Sequence, residues 1–133
     1  MYSTSQNANH TSPAGRRLKI VNIASLLSFQ GGILVAAYAA SKHGIAGLTK
    51  ALANEWAPLG INVNAVAPGY VATENTAPLR ADPVRNPAIL ARIPQGEWAA
   101  PAAIAGACVY LASAEADYVN GAILNVDGGW LGR

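Results

Sequence analysis

Tyr38 and Lys42 stand four residues apart in the segment YAASKHGIAGLTKALANEW, where Ala, Ile and Leu recur at helical intervals. Four residues make about one helical turn, so the two side chains share a face about 6 Å apart along the axis and can act on one bound molecule. A free phenol has a pKa of about 10, too high for efficient proton transfer near neutrality. An adjacent ammonium favours the phenolate, and the positive end of the helix acts in the same direction. Ser25, thirteen residues before Tyr38, closes the run KIVNIAS and places a hydroxyl toward the same crevice. Such a trio suits a carbonyl: the serine hydrogen-bonds the oxygen while the tyrosine donates a proton, or takes one from the alcohol in reverse. A hydride carrier must complete the chemistry. A Tyr–Lys pair at this spacing alone is common on solvated helix faces, and the order of elements around it is what gives it weight.

Those elements read as follows. KIVNIAS, Lys19 to Ser25, is a short apolar run interrupted early by Asn22 alone and predicts a buried strand. LLSFQGGILVAA is broken by Gly31-Gly32 and predicts a loop, followed by a helix from about Ala37 to Trp56. Pro58 and Gly60 end that helix, and INVNAVAP alternates as a second strand up to Pro68-Gly69. The Pro-rich stretch from Tyr70 to Pro101, with a short helix near PAILARI, reads as a mobile segment covering a substrate. PAAIAGACVYLASAEA predicts a helix with Pro101 in its first turn, and Asn120-Gly121 turns into a third strand, AILNVDGG. Two successive strand-helix-strand units imply parallel strands joined by right-handed crossovers, an α/β sheet covered by helices.

The whole chain narrows the function classes. Its 133 residues fit one domain, and 52% hydrophobic against 12% charged residues describes a protein that buries much of itself. The net charge of +2 comes from scattered residues, with no basic block for a nucleic acid or an anionic membrane. The lone Cys108 reads as a small buried hydrophobe in a reducing compartment, so a cytoplasmic location is expected. Residues 1–18 are polar and read as irregular; they lack a secretory apolar run and only weakly resemble a transit peptide, leaving the sequon at Asn9 silent. His10 and His43 are too isolated to suggest a metal site.

Taken together, NIAS, YAASKHGIAGLTKALANEW, INVNAVAPGYVAT and NGAILNVDGGW resemble the short-chain dehydrogenase/reductase family from roughly Lys19 to the end. The resemblance implies that Ser25 orients substrate, that Tyr38 is the general acid and base, and that Lys42 tunes Tyr38 and binds the nicotinamide ribose. For PGYVAT it implies a nicotinamide-side wall of Pro68 and Gly69, with the Val71 backbone on the carboxamide and Thr73 bonding the cofactor nearby. Gly69 would let the backbone approach a flat ring, and Thr73 equally suits a helix cap. Within the family the chain most resembles sugar-acid dehydrogenases acting on deoxy-keto-gluconates, with gluconate dehydrogenases and 3-oxoacyl reductases as alternatives. The cofactor implied is NAD, or NADP, and the substrate a polyhydroxylated carboxylate. Arg80, Arg85 or Arg92 could hold that carboxylate through a bidentate contact. Trp98 and Trp130 read as packing residues, and Asn62 and Asn64 as groups that satisfy neighbouring loops.

The family pattern also begins with a strand, a glycine-rich turn and an acidic residue for the ribose, none of which stands in these 133 residues. Gly44 and Gly47 lie inside a helix, Gly128 and Gly129 follow the last strand, and the polar head holds no match for the family's catalytic asparagine. The expected architecture is therefore the C-terminal half of a Rossmann-like parallel sheet, lacking the N-terminal dinucleotide-binding strands. Weak cofactor binding and an exposed apolar strand edge follow. Two hypotheses stand: a sugar-acid oxidoreductase, or a non-catalytic remnant acting as an assembly module. Family tetramers imply a homo-oligomer through Pro101 to Trp130.

Overall fold

The computed structural model describes residues 15–133, so the reading of residues 1–14 as irregular lies outside the described residues. Three parallel strands, β1 (Leu18–Ile23), β2 (Ile61–Pro68) and β3 (Ile123–Val126), form a sheet in the order β1-β2-β3. The register pairs Ile20 with Val63 and Asn22 with Ala65, then Ala65 with Ile123 and Pro68 with Val126. Four helices accompany it: α1 (Ala36–Trp56), α2 (Ala77–Ala81), α3 (Arg85–Leu90) and α4 (Pro101–Ala112). This is the partial Rossmann-like α/β sheet that the sequence implies.

Helix α1 starts within one residue of its expected boundary, and Pro58 leads into a short 3-10 turn that Gly60 closes at a φ of 77°. Strand β2 is central and buried from Asn62 to Ala67. Its small residues Ala65 and Ala67 meet Ala24 and Ile45 of α1 on one face. Asn22, on that same face, donates to Thr49 of α1 at 3.0 Å.

The opposite face of β2 carries Asn62 and Asn64, and the chain after α4 packs there. Asn62 Nδ2 reaches the carbonyls of Ala116, Asp117 and Val119 at 2.9–3.3 Å, while Arg17 donates to its Oδ1. Asn64 donates to Val119 at 2.8 Å and accepts from Ala122 at 2.9 Å. Both amides satisfy neighbouring loops, as their sequence pattern suggests. Lys19 adds an ion pair to Asp117 at 2.7 Å on this face.

Helices on opposite faces have a topological consequence. Both steps, β1 to β2 and β2 to β3, move in one direction across the sheet. Connections over opposite faces must then differ in hand, so the expectation of two right-handed crossovers holds for at most one.

The stretch from Tyr70 to Pro101 also differs from expectation. It is built around an apolar cluster: Ile89 and Ile93 are buried with Leu26 and Trp130, and Tyr70, Leu79, Trp98 and Leu131 close around them. An isolated parallel bridge between Val71 and Ala99 ties its two ends together. The sequence reading found α3 and missed α2, a five-residue helix begun by Pro78 in its first turn.

Candidate active site

Ser25 lies just beyond β1, where the strand gives way to a 3-10 turn spanning Leu26–Ser28. Its Oγ accepts the Leu27 N–H at 3.2 Å, which leaves the hydroxyl proton free for a ligand. The Ser25 N–H donates to Ser28 Oγ at 3.2 Å, and the Ser28 hydroxyl donates to the Lys42 carbonyl at 2.6 Å. Two short bonds therefore couple the serine turn to the first turns of α1.

Tyr38 and Lys42 occupy those turns, and Lys42 Nζ stands 5.6 Å from the centre of the Tyr38 ring. The ammonium donates to the Ile23 carbonyl at 2.7 Å. That bond ties α1 to the end of β1 a second time and leaves two ammonium protons for other partners. Tyr38 is about half exposed, at 48%. The pair is thus held against the strand end that carries Ser25, on an open surface.

Ser25 lines a cleft of about 540 Å³ together with Gln30, Pro68, Gly69, Arg85, Arg92 and Trp130. That volume falls in the range that accepts small metabolites. Of the residues singled out by spacing, the cleft gathers Ser25, Pro68 and Gly69, while Tyr38 and Lys42 stand beside it.

Gly69 has a reason of its own to be glycine. A Cβ there would stand 2.7 Å from the Asp127 Cα, so close packing between the ends of β2 and β3 excludes a side chain. The close approach is to the protein's own backbone as well as toward any flat ring. Val71 shares the bridge with Ala99, whose ladder uses the Ala72 N–H and the Tyr70 carbonyl. In a parallel bridge this turns the Val71 N–H to the other side, where it can meet a ligand. The Val71 carbonyl accepts from Thr76 Oγ1 at 2.7 Å. Thr73 caps a 3-10 turn spanning Glu74–Thr76 and forms a reciprocal box with Thr76, so its capping role is present.

The sequence reading passed over what holds the floor of the cleft. Asp127 accepts the N–H groups of Gly129 and Leu131 at 2.9 and 3.0 Å, which turns the chain sharply after β3. Gly128 and Gly129 both adopt positive φ, and side chains there would strike Ile93 and Pro94. The turn delivers Trp130 beneath the cleft at 7% exposure. Tyr70 packs on it at 5.0 Å and meets Trp98 edge-on at 5.3 Å. The legible signal was DGGW, a tight turn aimed at an aromatic residue. Trp130 therefore packs, as expected, and also lines the site. Cys108 is half-buried rather than buried. Among the described residues there is no cluster of potential metal ligands, and no helix is long and apolar enough to cross a membrane.

Known proteins resemble this chain along most of its length. A family model described as enoyl-(acyl carrier protein) reductase matches residues 1–131, so the likeness reaches upstream of Lys19. The chain is 62% identical over 129 residues to a 2-dehydro-3-deoxy-D-gluconate 5-dehydrogenase of Bacillus subtilis, covering 92% of this chain and 51% of the relative. A crystal structure from Agrobacterium tumefaciens, named as a 2-deoxy-D-gluconate 3-dehydrogenase with bound NADP, is 70% identical. Its TM-score is 0.87, over 90% of this chain and 49% of the other. A gluconate 5-dehydrogenase from Burkholderia cenocepacia, in complex with NADP and tartrate, is 39% identical with a TM-score of 0.84, over 88% of this chain and 46% of the other. The chain spans about half the length of the relatives it matches.

Proposed function

Because the chain belongs to the short-chain dehydrogenase/reductase family, we propose that it carries the proton-transfer and substrate side of an NAD(P)-dependent oxidoreductase. The reaction interconverts a secondary alcohol and a ketone on a deoxy sugar acid. The observation that carries this reading is the coupling of Ser25 to the Tyr38–Lys42 turn through Ser28. Three groups with the right chemistry are fixed to one strand end beside a metabolite-sized cleft.

In the reductive direction the Ser25 hydroxyl donates a hydrogen bond to the ketone oxygen, and Tyr38 gives that oxygen its phenolic proton as the carbonyl carbon becomes tetrahedral. Lys42 stabilises the charge left on Tyr38. The reverse reaction returns the proton from the alcohol to Tyr38. NAD(P)H supplies the hydride when bound. Tyr38, Lys42, Pro68, Gly69, Val71 and Thr73 would hold its nicotinamide end, and the outward Val71 N–H and the two uncommitted Lys42 protons fit that group. Relatives with bound NADP support a nicotinamide cofactor, while the wider resemblance implies NAD.

These 133 residues hold no glycine-rich phosphate turn, so the affinity of this chain for the dinucleotide is expected to be weak. The test is turnover of 2-dehydro-3-deoxy-D-gluconate by the full chain with excess NADPH or NADH, followed at the nicotinamide absorbance. Tyr38→Phe is expected to remove turnover, by roughly 100-fold or more, while the fold, followed by circular dichroism, stays. Retained turnover in that variant would overturn the proton-transfer role. A folded chain that gives no turnover with either cofactor favours the second reading, an assembly module. The exposed apolar surface of α4, including Val109 at 68% and Tyr110 at 44%, supports that alternative.

A further inference from the structure

We infer that Arg92, held over Trp130 at the mouth of the cleft, is the residue that recognises the carboxylate of the substrate and sets the preference for a sugar acid over a neutral polyol. The inference rests on the sugar-acid reading above and names the group that would enforce it.

The Arg92 Cζ stands 4.0 Å from the centre of the Trp130 ring, within cation–π range. Trp130 is itself fixed. It is buried among Leu26, Ile89 and Ile93, is braced by Tyr70, and donates its indole N–H to Gln30 Oε1 at 3.4 Å. Backbone ties hold the same stretch: Gln95 N–H donates to Gly128 at 3.1 Å, and the Arg133 guanidinium donates to the Arg92 carbonyl at 2.6 Å.

A guanidinium seated over a ring by cation–π attraction still offers its edge, the fork of N–H donors that pairs with a carboxylate through two parallel bonds. Among the described residues no carboxylate takes that edge, and the ion pair present is Lys19–Asp117 on the far face of the sheet. Arg92 lines the same cleft as Ser25, so one small molecule can present a carbonyl to the serine and a carboxylate to the arginine.

The two competing arginines are less suited. Arg80 is turned back on its own segment, donating to the Thr73 carbonyl at 3.0 Å. Arg85 also lines the cleft, but its charge already faces the Asp82 carboxylate, and no aromatic ring lies under its guanidinium among the described residues. A fork already seated loses less freedom on binding than an arginine that must first be ordered.

The test uses the indole N–H signals of the three tryptophans in a 15N-labelled full chain, assigned through Trp→Phe variants. D-gluconate and D-glucitol, matched in hydroxyl groups and differing in charge, are titrated in turn. Gluconate is expected to move the Trp130 signal saturably. Arg92→Gln is expected to weaken gluconate by roughly 10- to 100-fold and leave glucitol unchanged. Arg92→Lys, which keeps the charge and loses the fork, should fall between. A Gln variant that binds gluconate as wild type does, or loses gluconate and glucitol equally, overturns the assignment while the sugar-acid reading stands. Failure of both probes to move Trp130 in the wild-type chain overturns the two together.

Discussion

At the scale of single residues, the buried amides of β2 do more for this fold than their polarity suggests. Asn62 is 1% exposed, and its one amino group spans three carbonyls of the turn after α4 while its oxygen takes Arg17. Ala116 keeps the Val119 N–H and Val119 keeps Asn64, so an apolar residue at 62 would strip the Asp117 carbonyl of its donor and Arg17 of its acceptor. Asn62→Ala is therefore expected to lower stability by about 1–3 kcal/mol, read as a lower urea midpoint with an unchanged slope. A loss below about 0.5 kcal/mol would mean that water replaces the amide without penalty. The same turn contributes Asp117 to Lys19. That ion pair is half open to solvent on the Asp117 side, so its contribution is small beside the amide network.

At the scale of elements, the short helix α3 shows how the substrate side is aimed. Asp82 Oδ1 accepts the N–H groups of Val84 and Arg85 at 2.8 Å each, which fixes the start of the helix whose continuation carries Arg92. Those bonds, Arg85 first and Val84 next, with the nearby Arg85 charge, hold the Asp82 carboxyl below its ordinary value of 3.8. A group whose folded pKa is depressed contributes stability that is present above its unfolded value and is lost as pH falls through the folded one. Asp82→Ala should therefore lower the melting temperature at pH 7, and the gap to wild type should close as pH drops below about 3.8. A gap that persists at pH 2 would assign the effect to packing instead. The legibility of the elements follows the same logic. Helix α1 and strand β2 were readable because one period, 3.6 or 2, runs through them, and β1 because it is a short apolar run ending in small residues. Helix α2 was not, because at five residues it is too short to show a period and is set by a proline and by the Thr73–Thr76 box. Ser25, Tyr38 and Lys42 could be found from spacing because all three sit at one strand-to-helix transition. Trp130 as part of the site could not, because its place depends on Gly128 and Gly129 packing against Ile93 and Pro94, a contact across some 35 residues of sequence.

At the scale of the whole molecule, the surface is more apolar than a solitary chain requires. Among the described residues strand β1 is an edge with no partner on its outer side, with Leu18 at 51% and Ile23 at 46% exposure. Helix α4, which packs across β1, β2 and β3, presents Val109 and Tyr110, and the other edge strand, β3, presents Leu124. Contiguous apolar surface of this kind promotes association, and the strand edge and the helix face would do so by different physics. An open strand edge pairs through backbone groups and is blocked by an inward charge, whereas a helix face packs through side chains and is blocked by a charge at its centre. The family resemblance implies that α4 and β3 meet across a two-fold axis. Sedimentation velocity is then expected to show concentration-dependent dimers that Val109→Asp shifts toward monomer and Ile23→Lys leaves in place. The reverse pattern, with dimers lost only in Ile23→Lys, would place the contact at the β1 edge and overturn the α4 interface. A two-fold contact through α4 and β3 would also bear on the cleft, because β3 leads directly into the turn that seats Trp130 beneath Arg92. Steadying β3 steadies Trp130, so a disrupted dimer should also broaden the Trp130 indole signal, whereas a dimer built on the β1 edge gives no reason for Val109 to be felt there.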